Sequence, residues 1–176
     1  LVEGHSHLFE GALWSKLYCG YFDRQKPDGT MSLGIKNVKE LVQTLKHENE
    51  TLLDPNAPLA GWGLDPIYFD DKALDRKTLD LVSDQRPIGI LHASGHKLNI
   101  NSVGLKLAGF LRTGINHEGL PLGEDGLPSG EIRGAETIAL VTRHVGLGKD
   151  WLSGDAEGLR NFGKICARAG VTTAAD

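Results

Sequence analysis

The chain has 176 residues, 40% of them hydrophobic and 24% charged, an ordinary globular balance that excludes disordered and fibrous classes. Its 19 basic residues against 23 acidic ones leave a net charge of −4, with no basic footprint for nucleic acid. No stretch approaches the ~18 apolar residues of a membrane span, so neither a nucleic acid nor a membrane is expected as a partner.

The length allows one domain, or one domain with an appendage. The opening residues Leu1 to His5 lack the basic start and apolar run of a secretory leader. Cys19 and Cys166 form no Cys-x-x-Cys pair, so two free thiols in a reducing, cytoplasmic setting are expected. The chain opens and closes on strand-like segments, which reads as a piece of a longer protein.

In chain order, residues 1–9 read as a short strand leading into His5-Ser6-His7. Residues 10–20 carry Leu13, Trp14, Leu17 and Tyr18 at helical spacing, stopped by Gly20. Residues 21–34 are turn-rich around Lys26-Pro27-Asp28-Gly29. Val38, Leu41, Val42 and Leu45 predict a helix over 36–47, followed by a loop over 48–58 and a strand from Leu59 to Leu64. Residues 74–84 read as a short helix ended by Arg86-Pro87, and Ile88, Ile90 and Leu91 as a buried strand stopped at Ser94-Gly95. Ile100, Val103 and Leu107 are spaced for a helix opened by Asn99 or Asn101 and closed by Gly109. Residues 110–130 form a long irregular stretch, of a length that is usually functional. Helices follow over 131–145 and 155–169, with Gly170 as the cap and a terminal strand directly after. Helices alternating with short apolar strands point to an α/β fold.

His5-Ser6-His7 is the sharpest chemical feature. On a strand, side chains alternate, so His5 and His7 share one face and can converge on one divalent ion. The same spacing also arises in packing and capping roles. His92 and His96 are four apart, but Ser94 and Gly95 between them argue against a helix and therefore against a joint metal site. His96 reads equally as a substrate-facing group or as one satisfied by loop backbone. Asn101 and Ser102 suit substrate contact or, preferably, a helix N-cap. His47 reads as solvated, His117 as a loop residue, and His144 as a group near a helix C-terminus. Glu10 and Asp176 are acidic groups near strand ends, and Trp14, Trp62 and Trp151 read as packing residues.

Four ordered motifs carry a family likeness. Gly4-His5-Ser6-His7-Leu8 resembles the metal-binding motif on the first barrel strand of the amidohydrolase superfamily. Residues 79–109 are similar to a stretch of amidohydrolase family 3, the branch resembling N-substituted formamide deformylases. The matching residues are Leu79-Asp80, Arg86-Pro87, Gly95-His96, Asn101-Ser102 and Ala108-Gly109. Residues 126–136 look like that branch's Gly-x-Pro-Thr/Ser-Gly turn, and 170–176 like its Gly-Ile-Thr-Thr strand.

The resemblance implies an α/β chain holding the first strands of a (β/α)₈ barrel with a large inserted α/β subdomain. Residues 1–34 would be the first strand and its following segment, 35–150 the insertion, and 151–176 a barrel helix and strand. It implies a metal-dependent hydrolase of a non-peptide C–N bond, with His5 and His7 as metal ligands and one or two divalent ions, zinc first among them. His96 and Asn101 would face a small-molecule substrate, and Asp176 would line the site. The family's remaining ligands, a lysine, two histidines and a late aspartate, lie on later strands that this chain lacks. An N-terminal fragment, inactive alone and prone to homo-oligomerise through unpaired strand edges, is therefore expected. The rival reading is a non-catalytic α/β binding or oligomerisation module in which His5 and His7 are structural.

Overall fold

A computed structural model of the chain describes residues 1–69, 74–148 and 155–175. Its centre is a five-stranded sheet in the order β2-β5-β6-β7-β8. These strands are β2 (Leu17–Tyr18), β5 (Leu59–Leu64), β6 (Ile88–His92), β7 (Lys97–Ile100) and β8 (Glu131–Arg133). β2, β5 and β6 run parallel, and β7 and β8 are antiparallel additions, so the sheet is mixed. Apart from it, β1 (Val2–Glu3) pairs in parallel with β9 (Thr173–Ala174), and β3 (Arg24–Gln25) forms a hairpin with β4 (Met31–Ser32). The α/β class is thus established, while the described strands do not close a barrel.

Alternation along the central strands feeds two apolar layers. Leu59, Ile88 and Ile90 pack with Leu41 and Leu45 of helix α2 (Val38–Thr51) and Leu79 of α3 (Arg76–Asp80). Trp62, Leu91, Leu98 and Ile100 pack with Leu13 of α1 (Glu10–Leu13), Leu105 of α4 (Ser102–Leu107), and Ile138 and Val141 of α5 (Ala135–Val141). Helix α6 (Ala156–Arg168) lies on α1 so closely that a Cβ on Gly11 would meet the Gly158 carbonyl oxygen at 2.0 Å. Among the described residues, no helix is long and apolar enough to cross a membrane.

Two buried arginines tie loops to this frame. Arg86 donates from Nε to Asn49 Oδ1 (2.7 Å), from Nη1 to the Asp54 (2.7 Å) and Ala57 carbonyls, and from Nη2 to the Leu52 carbonyl (3.1 Å). It thereby closes the 52–57 loop. Arg76 donates to the Pro128 carbonyl (3.0 Å), to Ser102 Oγ (3.3 Å) and to Asp125, anchoring the irregular 110–130 stretch. Lys77 and Arg76 beside Asp125 hold its carboxyl down at about 2. The long loop is therefore fastened structure.

Helix α2 runs on to Thr51, into the expected 48–58 loop, and four further places differ from the periodicity reading. The 10–20 helix ends at Leu13, because Leu17 and Tyr18 pair with Gly61 and Trp62 of β5. Residues 21–34 hold a hairpin around the Lys26–Gly29 turn. Ile100 is the last residue of a strand rather than part of the following helix, and residues 131–133 form a strand before α5 begins. Strand β2 also joins residues 1–34 to the sheet built from residues 59–133. Cys19 is buried and its thiol is pushed up to about 12 by desolvation, an inert core position, and Cys166 is likewise unpaired.

Candidate metal centre

Strand β1 leaves its ladder at a bend over Gly4 and His5 and regains it at Ser6. The Ser6 amide donates to the Ala175 carbonyl (2.8 Å), and Ser6 Oγ donates to the same oxygen (2.7 Å). Ser6 is thus held against the β9 side. His5 and His7, one residue either side, turn together, and their Nε2 atoms lie 3.4 Å apart with the rings nearly edge-on. The His5 amide donates to Glu3 Oε1 (3.1 Å), and the His7 ring stacks on Phe9 with centroids 5.1 Å apart.

This spacing fits a shared cation. Two imidazole nitrogens at ~2.05 Å from a tetrahedral zinc stand about 3.4 Å apart. Both histidines are exposed, and among the described residues no third His, Cys, Asp or Glu joins them in a metal-binding group. A catalytic zinc normally takes three protein ligands, so the described pair is an incomplete set. Asp176 and Trp151, named from the sequence, lie outside the described residues.

A cavity of about 380 Å³ opens beside His7. Tyr18, Tyr21, Phe22, Trp62 and Tyr68 supply aromatic walls, with Glu10, Arg24, Asp65 and His92 as polar groups. Arg24 pairs with Glu10 at 2.5 Å and lies over the rings of Trp14 and Trp62, at 5.8 and 5.6 Å from their centroids. The Tyr18 hydroxyl donates to the Phe22 carbonyl (2.9 Å), and burial raises its pKa. Trp14 Nε1 and Trp62 Nε1 are buried with no hydrogen-bond partner among the described residues. The tryptophans at 14 and 62 do pack, as expected, and Trp62 also lines this cavity.

The other sequence candidates separate. His92 is buried at the end of β6, while His96 is exposed past the Gly95 turn. His96 lines a smaller hollow of about 240 Å³ that it shares with His7, Phe9 and the Ala135–Ala139 face of α5. Asn101 is fully buried and lines neither cavity. Its Oδ1 accepts from the Gly104 (2.9 Å) and Ile88 (3.0 Å) amides, and its Nδ2 donates to the Ser83 (3.1 Å) and Arg86 (2.8 Å) carbonyls. It is a helix cap and a crosslink, with no bonding capacity left over for a substrate. Ser102 donates to Asp80 Oδ2 (2.6 Å). Glu10 is the counter-ion of Arg24. Sequence spacing gave no sign of Arg24, Trp62 or His92 as site residues, because the cavity draws its walls from separate stretches of chain.

No protein-family model matches the chain, and no curated protein matches it. Two solved structures resemble it in fold. One is an uncharacterized metal-dependent hydrolase from Pyrococcus furiosus, with a TM-score of 0.53 and 16% identity, over 98% of this chain and 30% of that one. The other is an uncharacterized metal-dependent hydrolase from Pyrococcus horikoshii OT3, with a TM-score of 0.50 and 15% identity, over 98% of this chain and 29% of that one. The chain therefore spans about three tenths of the length of either protein, and at such identities the likeness concerns fold.

Proposed function

We propose that the chain is the metal-holding part of a metal-dependent hydrolase acting on a non-peptide C–N bond, of the amidohydrolase family 3 type. The observation that carries the reading is the 3.4 Å convergence of His5 Nε2 and His7 Nε2 at the mouth of an aromatic cavity. The fold likeness to two metal-dependent hydrolases supports it. So does the topology: β1 leads into α1, α6 leads into β9, and the strands are parallel neighbours, as successive units of a (β/α)₈ barrel would be.

His5 and His7 would hold the divalent ion, zinc first by donor type. Such an ion activates water and polarises a carbonyl. Ser6, bonded twice to Ala175, fixes the backbone between them. Phe9 restrains the His7 ring by stacking. The aromatic cavity takes up the apolar part of a small-molecule substrate and excludes water from it. His96 is proposed as a second substrate-facing group, from the hollow that it shares with His7. The exposed Leu1 and Val2 beside the β1/β9 ladder support self-association, and the free thiols support a cytoplasmic setting.

The 3.4 Å contact also suits a plain N–H···N bond between the rings, which is the structural reading of the pair. Elemental analysis after dialysis against Zn²⁺ separates the two. The hydrolase reading expects about one zinc per chain in the wild type and none in the His5→Ala/His7→Ala variant. Equal zinc in both proteins, or none in either, contradicts it.

A further inference from the structure

The tautomer of His92 is dictated by its surroundings. The Leu74 carbonyl can only accept, so the Asn99 amide atom 2.7 Å from it is the Nδ2 donor. That orientation turns Asn99 Oδ1 toward His92, whose Nε2 lies 2.5 Å away. An amide oxygen is also only an acceptor, so Nε2 must carry the ring proton. Burial disfavours the charged ring and lowers the His92 pKa, which keeps the imidazole neutral. Nδ1 is then a bare lone pair, and the ring's hydrogen bond among the described residues is made by Nε2 to Asn99. His92 lines the same cavity as His7, together with Trp62 and Asp65.

We infer that the cavity binds a flat, neutral molecule whose N–H or O–H donates to His92 Nδ1. Three features support this. A neutral imidazole in a fixed tautomer accepts but does not donate at Nδ1, so it selects for a donor. The aromatic walls from Tyr18, Tyr21 and Trp62 suit a ring or another planar apolar group. The Arg24 charge is already matched by Glu10, which removes the strongest reason for an anionic ligand.

This rests on the hydrolase reading only in treating the cavity as the substrate's recess, and it makes a secondary amide with a planar substituent the matching substrate class. Nuclear magnetic resonance on the metal-free chain tests it without any turnover. Long-range proton–nitrogen correlation should show His92 protonated at Nε2. Acetanilide should bind with shifts at Trp62 and His92, about five- to tenfold more tightly than N-methylacetanilide, which lacks the N–H. His92→Leu should erase that preference. Should this variant not fold, the tautomer and the two ligands decide by themselves. A proton on Nδ1, equal affinities, or shifts confined to other residues would overturn the inference. Because no metal is present, such a failure leaves the zinc test of His5 and His7 standing, and a failed zinc test leaves the acetanilide comparison meaningful.

Discussion

The β1/β9 ladder and the five-stranded sheet are held in opposite ways. β1 and β9 pair over two residues each, and all four are exposed. In β5 and β6 every residue is buried, with apolar layers on both faces. The candidate metal ligands follow directly from the exposed ladder, whereas the sheet supplies the back wall of the cavity through Trp62, Leu91 and His92. Burial of apolar area fixes the second region by itself. The first depends on a few backbone bonds, to which a metal at His5 and His7 would add. Stability and the candidate metal ligands therefore lie in different parts of the chain, and substitutions should separate them.

The largest effect is expected in the sheet. Leu98→Ala empties a fully buried position in β7 and should cost about 3 kcal/mol in urea unfolding, whereas Val2→Ala in β1, at 75% exposure, should change stability by less than about 0.5 kcal/mol. Comparable losses at both sites would erase the contrast. Next comes Asn101→Ala, which orphans two amides and two carbonyls and removes the α4 cap, at about 2 kcal/mol. Zinc uptake by this variant should be unchanged; a loss of zinc would link the buried crosslink to the metal site.

A pH effect also belongs to the sheet. Burial lowers the His92 pKa, so the unfolded chain takes up the proton more readily than the folded one. The contribution of His92 to stability is full above its ordinary value of 6.5 and declines as pH falls below it. Subtracting the unfolding profile of His92→Gln from that of the wild type should isolate this decline. A difference that stays flat or shrinks as pH rises would contradict the assignment. The smallest change in stability is expected from His5→Ala, within about 0.5 kcal/mol because the ring is exposed, although zinc uptake should be lost.

The same contrast explains what the sequence reveals. β5 and β6 are legible as compact apolar runs, and α2 and α6 as periodic stripes, whereas their caps Asn37 and Asp155 emerge only in the structure. β2 is not legible, because Leu17 and Tyr18 sit at helical spacing from Leu13 and Trp14 and become a strand only by pairing with β5, more than forty residues on. In β7, Leu98 and Ile100 do alternate with Lys97 and Asn99, but the helical spacing from Ile100 to Leu107 masks that pattern. His5 and His7 are legible because their relation is local. The cavity is not, since residues 7–24, 62–68 and 91–95 meet only in the folded chain. The His92–Asn99 bond likewise depends on the register of β6 against β7.

Amide hydrogen exchange with and without Zn²⁺ tests the division between metal edge and scaffold most directly. In the metal-free chain, the amides of Ser6, Thr172 and Ala175 should exchange early and those of β6 and β7 late. Zinc should slow the first group strongly and leave the second unchanged, and His5→Ala/His7→Ala should abolish the response. Protection that spreads evenly over the sheet, or an edge that ignores zinc, would contradict the account.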